Sequence, residues 1–334
     1  MSFDGYFIKH LVNQLNKDIS GGRIKKVFQT RKDAFVFLVY QKGNTYQLYF
    51  DLNPSSSHLS INQDINHTEE KSQFLTTLKK HLENTVITNI KQHLLDRVII
   101  LDIQGFDSIF GYLRKKLIFE VMGRSTNLII LDSNDVIIDA YYKQFHPDKR
   151  SVLTQAEFSF FPTAKVVLDD TNYDLFLSLD SQKAISDTFM GISKELARFF
   201  YENKTVIKPW LLETSPHLYL GDKKYYHAIK ITDESNSVPY DSIYTLINDF
   251  YKNQDFSKKD QITTLLDTQI NKYTLKIQHL NGDLEKNIDY TRYKDIADAI
   301  YSSGLDLKTK VVSFDSVLLD EYKTLNDNAQ LFYQ

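Results

Sequence analysis

The residues best suited to recognition lie in two stretches of apolar sequence. Asp96 and Arg97 sit near the head of "LLDRVIILDIQ", and "FEVMGRSTNLIIL" carries Glu120, Met122, Gly123, Arg124 and Asn127. If Asp96 and Arg97 belong to the strand, they point to opposite faces and need separate partners. If they form the turn before it, they are incidental charges. Gly123 suits the positive φ of a turn between two apolar strands, which is the plain reading of the second stretch. The alternative is one constellation at a single end of a sheet. There the guanidinium groups of Arg97 and Arg124 would meet phosphate or base edges, and the carboxylates of Asp96 and Glu120 would orient them.

Basic residues form further clusters: Lys79 and Lys80 with His81 at a helix end, Arg114, Lys115 and Lys116 at a strand start, and Lys149 with Arg150. They read either as one phosphate-binding surface or as separate solvated faces. Gly191-Ile192-Ser193 is a glycine turn opening a helix, whose free N–H groups suit a phosphate, as at any helix N-terminus. No nucleophile and base set, P-loop or dinucleotide motif is present. His10, His58, His67, His81 and His93 lack metal-ligand spacing. The expectation is a protein with no catalytic residue, metal or cofactor.

The elements that must position these residues can be read from periodicity. Phe7, Ile8, Leu11, Val12 and Leu15 recur at helical spacing up to the stop at Gly21-Gly22. "RIKKVFQT", "AFVFLVYQ" and "TYQLYFDL" read as strands, and Lys71 to Leu82 as a helix. "VITNIKQHL", "RVIILDIQ", "LRKKLIFEVM", "TNLIILD" and "VIIDAYY" return to strand. About eight strands with sparse helix imply an α+β fold whose first unit, residues 1–165, is an antiparallel sandwich or barrel-like domain. Residues 166–255 read as a helical module containing a possible hairpin, "LYLGDKKYYHAIKI", and a helix from Ser242 to Tyr251. From 256 to 334, Leu266, Ile270, Tyr273, Ile277, Leu280, Leu284 and Ile288 follow the alternating spacing of a coiled-coil seam with no obvious partner helix, so the chain reads as a fragment.

Composition narrows the class. With 334 residues, 22 Phe, 21 Tyr, 11 Gly and 6 Pro, the chain can bury a sizeable core. A formal net charge of −3 gives no whole-molecule drive toward polyanions, so any such site is a local patch. The absence of Cys fits a reducing compartment. The N-terminus has no signal-peptide pattern and no apolar run spans a membrane, so a cytoplasmic protein is expected.

"MSFDG" at the start, "GGRI" at 21–24, "LDR" at 95–97, "EVMGRSTNLIIL" at 120–131 and "GIS" at 191–193 together resemble the NFACT family, whose bacterial members are the RqcH or fibronectin-binding protein A-like (FbpA/PavA) group. The resemblance runs along essentially the whole chain. It implies an NFACT-N domain similar to the N-terminal domain of MutM-type DNA glycosylases, a helix-hairpin-helix region, and the first arm of a coiled coil with the start of a middle domain. Ser2 stands where glycosylases carry their Pro nucleophile, so base excision is not expected. The family binds obstructed large (50S) ribosomal subunits holding peptidyl-tRNA and recruits tRNA, alanyl-tRNA in bacteria, to tail the stalled chain without mRNA. By this resemblance Asp96 and Arg97 engage tRNA, with the Glu120 to Asn127 motif as a second RNA-binding site. The partners implied are RNA and the ribosome, with no membrane. The competing reading is a surface-displayed adhesin that binds fibronectin.

Overall fold

The computed structural model describes residues 3–61, 70–109, 111–146, 150–221, 224–231, 236–252 and 258–333. Ser2, His67 and Lys149 lie outside this set. The chain forms two compact units, Met1–Asp255 and Phe256–Gln334.

The first unit begins with α1 (Gly5–Ile19), then β1 (Arg23–Arg31), β2 (Ala34–Gln41), β3 (Asn44–Asp51), β4 (His58–Ile61) and α2 (Gln73–Leu82). Next come β5 (Val86–Gln92), β6 (Val98–Asp107), β7 (Gly111–Glu120), β8 (Asn127–Leu131) and β9 (Ile137–Ala140). These nine strands make one antiparallel sheet in the order β4-β3-β2-β1-β5-β6-β7-β8-β9. It joins two meanders at β1 and β5, where Gly21 N–H donates to Ile87 O (2.7 Å) and Ile24 N–H to Thr85 O (2.9 Å).

The sheet curls on itself. Laid flat, β3 and β7 would be about 24 Å apart at the usual strand spacing. Instead the rings of Phe50 and Phe119 meet edge-on with centroids 5.4 Å apart. Along β6, Ile99, Leu101 and Ile103 enter the main core with α1 and α2, while Val98 and Ile100 enter a smaller core on the other face. That second face is covered partly by the returning segment that includes Val152, Ala156, Phe158 and Phe160. Burial on both faces explains why "RVIIL" reads as a continuous apolar run instead of an alternating one.

The sequence reading missed only β4 in this sheet. Its four residues, "HLSI", are buried throughout, and its unpaired side is met by a later helix: Asn248 donates to Ile61 O (2.8 Å) and accepts from Ser60 Oγ (2.8 Å).

Residues 166–255 add α3 (Tyr173–Ser178), α4 (Gln182–Thr188), α5 (Lys194–Asn203), β10 (His217–Tyr219), β11 (Tyr225–His227), β12 (Ser237–Pro239) and α6 (Ile243–Lys252). The expected hairpin is present as β10 and β11, with β12 pairing on the other side of β10. These elements share cores with the sheet. Leu218, Tyr226, Ile243 and Leu246 pack with α1 and α2, and Tyr6 and Leu95 are buried among Phe176, Phe189 and Phe200.

The second unit comprises α7 (Lys258–Ser302), β13 (Ser313–Phe314), β14 (Val317–Leu318) and α8 (Leu325–Phe332). α7 has 45 residues, a length of about 68 Å at 1.5 Å per residue. Near its end Ile296, Ala297 and Ile300 pack on Leu325 and Ala329 of α8. Upstream, Leu266, Ile270, Tyr273, Ile277 and Leu280 are exposed. The side chains of Leu284 and Ile288 lie outside the described set.

Phe119→Ala removes a buried ring that holds the two halves of the sheet together, so urea unfolding should show a loss of about 3–5 kcal/mol. Ile270→Ala, on the exposed part of α7, should cost no more than about 0.5 kcal/mol.

Candidate nucleic-acid interface

Asp96 and Arg97 lie in the turn His93–Arg97, before β6 begins at Val98. They are not strand residues on opposite faces, which corrects that sequence expectation. The chain must reverse within five residues here, so His93 N–H donates to Val98 O (3.0 Å) and Asp96 N–H to His93 O (2.9 Å). Leu94 takes φ = 51°, a left-handed conformation costly for a bulky residue.

What keeps this turn in place comes from far along the chain. Gly5 and Gly191 both press on Leu95: a Cβ on Gly5 would lie 1.9 Å from Leu95 O, and one on Gly191 would lie 2.5 Å from the same oxygen. Gly191 also has φ = 73°, so glycine is required there on both counts. Gln92 Nε2 ties the turn to α1 by donating to both Gly5 O and Asp96 O at 2.8 Å.

The phosphate-binding reading of Gly191 and Ser193 fails for a specific reason: a carboxylate already occupies the position. Asp4 accepts from Phe7 N–H (2.9 Å) as the N-cap of α1, and its other oxygen accepts from Ser193 N–H (3.3 Å) at the start of α5. His227 completes the site, with Nε2 3.2 Å from Asp4 Oδ1 and Nδ1 accepting from Ile229 N–H. Burial alone would raise the Asp4 pKa, but His227, Ser193 and Phe7 hold it below its ordinary value of 3.8.

The Glu120 to Asn127 stretch divides into exposed and buried parts. Gly123 (φ = 59°) opens a single turn, Gly123–Ser125, that leaves Arg124 exposed with no side-chain partner among the described residues. Met122 is half-buried, its sulfur 3.9 Å from Arg97 Nη2. Arg97 and Arg124 are therefore presented by neighbouring turns at one end of the sheet, where β6 and β7 pair Val98 with Glu120.

Glu120 and Asn127 do not join that constellation as expected. Glu120 is buried and pairs with Arg150, Nη1 lying 2.8 Å from Oε1, both side chains being almost fully covered. Burial raises the Glu120 pKa, and Arg150 counters it. The Asn127 amide is spent on backbone, donating to Tyr142 O (2.8 Å) and accepting from Tyr142 N–H (2.9 Å). Both hold the chain around the site.

The basic clusters do not form one surface either. On β7, Lys115 faces α2 and donates to His81 O (3.2 Å), on the helix that carries Lys79 and Lys80. Arg114 and Lys116 stand on the opposite face, and Lys116 is paired with Asp135 (2.6 Å). Alternation along the strand splits the run "RKK" between the two sides of the sheet.

A family description covering the NFACT N-terminal and middle domains matches residues 4–334. The chain belongs to the NFACT family. Among curated relatives, it is 26% identical to the Rqc2 homolog RqcH of Bacillus subtilis, over all of this chain and 66% of that protein. It is 23% identical to Rqc2 homolog RqcH of Streptococcus pneumoniae D39, over 97% of this chain and 61% of that protein. The chain thus spans less than two thirds of the length of these relatives. Among solved structures, the N-terminal part of the fibronectin/fibrinogen-binding protein from Streptococcus suis superposes with a TM-score of 0.69 at 23% identity, covering 76% of this chain and all of that one. The fibrinogen-binding protein from Staphylococcus aureus gives 0.63 at 25% identity, covering 75% of this chain and 99% of that one.

Sequence reasoning singled out neither Asp4 nor His227 as a positioning pair, although "MSFDG" carried the family resemblance. Asp4→Asn keeps an acceptor for the α1 cap but loses the charge, and should lower stability at pH 7 by about 2 kcal/mol. The folded pKa of Asp4 is depressed, so its contribution is present above 3.8 and is lost as the pH falls through the folded value. The gap between wild type and variant in urea titrations should therefore close below about pH 4.

Proposed function

We propose that this chain is the RNA-engaging part of a ribosome-associated quality-control factor, acting by binding and not by catalysis. The observation that carries the reading is the turn His93–Arg97. A strained, triply anchored turn presents Asp96 and Arg97 at the same sheet end as Arg124, which is exposed and has no side-chain partner among the described residues, on a chain whose curated relatives are RqcH proteins. Guanidinium groups carried on a backbone that is already fixed suit phosphate and base-edge recognition, because little backbone freedom is lost on binding.

On this reading the partners are the large ribosomal subunit carrying peptidyl-tRNA and an incoming tRNA, alanyl-tRNA by family resemblance, in the cytoplasm. The regions of the relatives that this chain does not cover would complete the tailing of the stalled polypeptide.

The test is binding of bulk tRNA and of 50S subunits carrying peptidyl-tRNA, at several stated salt concentrations. The wild-type chain is compared with an Asp96→Ala, Arg97→Ala variant. Loss of the charged pair should weaken binding by tenfold or more, on the order of 1.5–3 kcal/mol, with an unchanged melting curve. Equal binding by both would remove the pair from recognition. Binding of fibronectin without any tRNA binding would favour the adhesin reading instead.

A further inference from the structure

At the opposite end of β6 from the Asp96–Arg97 turn, β6 and β7 run on past their neighbours in the sheet. β5 pairs with β6 only as far as Val86 with Gln104, and β8 pairs with β7 only from Leu131 with Lys116. β6 and β7 stay paired with each other out to Asp107 and Gly111. Residues 105–107 and 111–115 therefore form a ribbon of two strands. At the usual rise per residue, the length of β6 carries its tip about 30 Å from the turn. Two strands alone are marginally stable in water, and exposed edges are ordinarily blunted with charge. This ribbon instead carries apolar rings. Phe106 and Tyr112, directly opposite each other, are each 72% exposed and meet edge-on with centroids 5.4 Å apart, and Ile109 at the tip is 83% exposed.

The outer face beside the ribbon holds a trough of about 470 Å³, bordered by Gln104, Arg114, Asp132 and Ser133. Most of the charges along it are already taken. Lys116 holds Asp135 (2.6 Å), Lys91 holds Asp102 (2.9 Å), and Asp132 accepts from the N–H groups of Asn134 and Val136 in the β8–β9 turn. Arg114 differs from these, being exposed and without a side-chain partner among the described residues. The backbone beside it is open as well. On the side of β7 that faces β8 the ladder begins at Lys116, so Tyr112–Arg114 has no neighbouring strand there among the described residues. In an antiparallel pair, alternate residues turn their N–H and C=O groups away from the partner strand, so this edge presents backbone donors and acceptors outward.

We propose that the open edge of β7 receives an extended acidic peptide of a partner protein, added to the sheet as a strand in line with β8. The backbone of Tyr112–Arg114 supplies the ladder bonds, and the side chains set what the peptide must carry. Tyr112 and Arg114 are two residues apart and share the outer face. They therefore call for an apolar residue opposite Tyr112 and a carboxylate opposite Arg114. The recognised pattern is an apolar residue and an Asp or Glu with one residue between them. Charge decides the class of partner. The pairs Lys116–Asp135 and Lys91–Asp102 cancel and Asp132 stays negative, so the trough lacks the cluster of free cations that a run of phosphates requires. One carboxylate on a strand satisfies Arg114 and leaves the existing pairs intact. Edge pairing is likewise something that a peptide backbone offers and a nucleic acid does not. The site lies at the far end of β6 from Arg97 and does not depend on the RNA reading.

The test measures binding of short labelled peptides to the full chain by fluorescence anisotropy. Each peptide is a Thr-rich strand with Phe and Glu two positions apart, made in both orders because an added strand can run either way. Controls carry Lys in place of Glu, or methylated backbone nitrogens at the central residues, and a short single-stranded RNA is run alongside. The variants are Arg114→Glu and Tyr112→Ala, both at exposed positions, with melting curves to check that they fold. One order of the Phe and Glu peptide should bind the wild type, and methylation should abolish that binding. Arg114→Glu should weaken it roughly tenfold and gain the Lys peptide in exchange, and Tyr112→Ala should weaken both. Failure of the wild type to bind either order, or equal binding of the methylated peptide, would overturn the proposal. So would loss of single-stranded RNA binding in Arg114→Glu with peptide binding unchanged, which would give this surface to nucleic acid.

Discussion

The interaction on which this molecule turns is the buried carboxylate of Asp4. It caps α1, receives the first free N–H of α5 and meets His227 at the end of β11. A buried charge is costly unless every lone pair is used, and here the acceptors are taken by groups from three separated parts of the chain. Two helix N-termini bring their positive ends to one anion, which explains why neither is left to bind a phosphate from solution. Because the carboxylate fixes α1 against α5, Gly5 and Gly191 approach closely enough to trap Leu95 between them. The Asp96–Arg97 turn inherits its position from that contact.

This arrangement separates holding from touching. Glu120, Asn127, Asp4 and Gly191 are each close in space or sequence to the surface that carries Arg97 and Arg124, yet each spends its polar groups inside the protein. Arg124 keeps its charge at the surface, and Arg97 sits beside it over Met122. The stationary residues bear the entropic cost of order on folding, so the turns that carry Arg97 and Arg124 already have their backbone geometry. The positive φ at Leu94 belongs to the same economy: a strained backbone persists only where its surroundings over-determine it.

Much of the fold was legible because local rules and tertiary packing agree. The apolar faces of α1 and α2, the strands of the two meanders and the β10–β11 hairpin follow directly from periodicity and turn residues. β4 escaped because four residues give no period, and "HLSI" has polar members that only make sense once Asn248 of α6 is seen bonding to Ser60 and Ile61. The candidate site was legible in its exposed half. Asp96, Arg97 and Arg124 announce themselves as charges beside apolar runs. The supporting half was not, because Asp4 and His227 are 223 residues apart and Glu120 finds Arg150 across a stretch that sequence reading treated as another basic patch.

That last pairing changes how the charges in this family's second motif should be weighed. Read in sequence, Glu120 stands two residues before Met122–Gly123–Arg124 and invites a role alongside Arg124. In space it faces the other way, to the outer side of the sheet, with Ile118 and Ile100. There its carboxylate would be an uncompensated buried charge without Arg150, and Arg150 would be an uncompensated guanidinium between two Phe rings without Glu120. Neither can be removed alone without leaving the other stranded, which costs more than the pair itself contributes. The pair therefore constrains the path of the returning segment 150–161 over the sheet. Since Phe160 in that segment stacks on His93, the constraint extends to the turn that carries Arg97. An acidic residue buried on the outer face of the sheet thus helps set the geometry of the turn that presents a basic one.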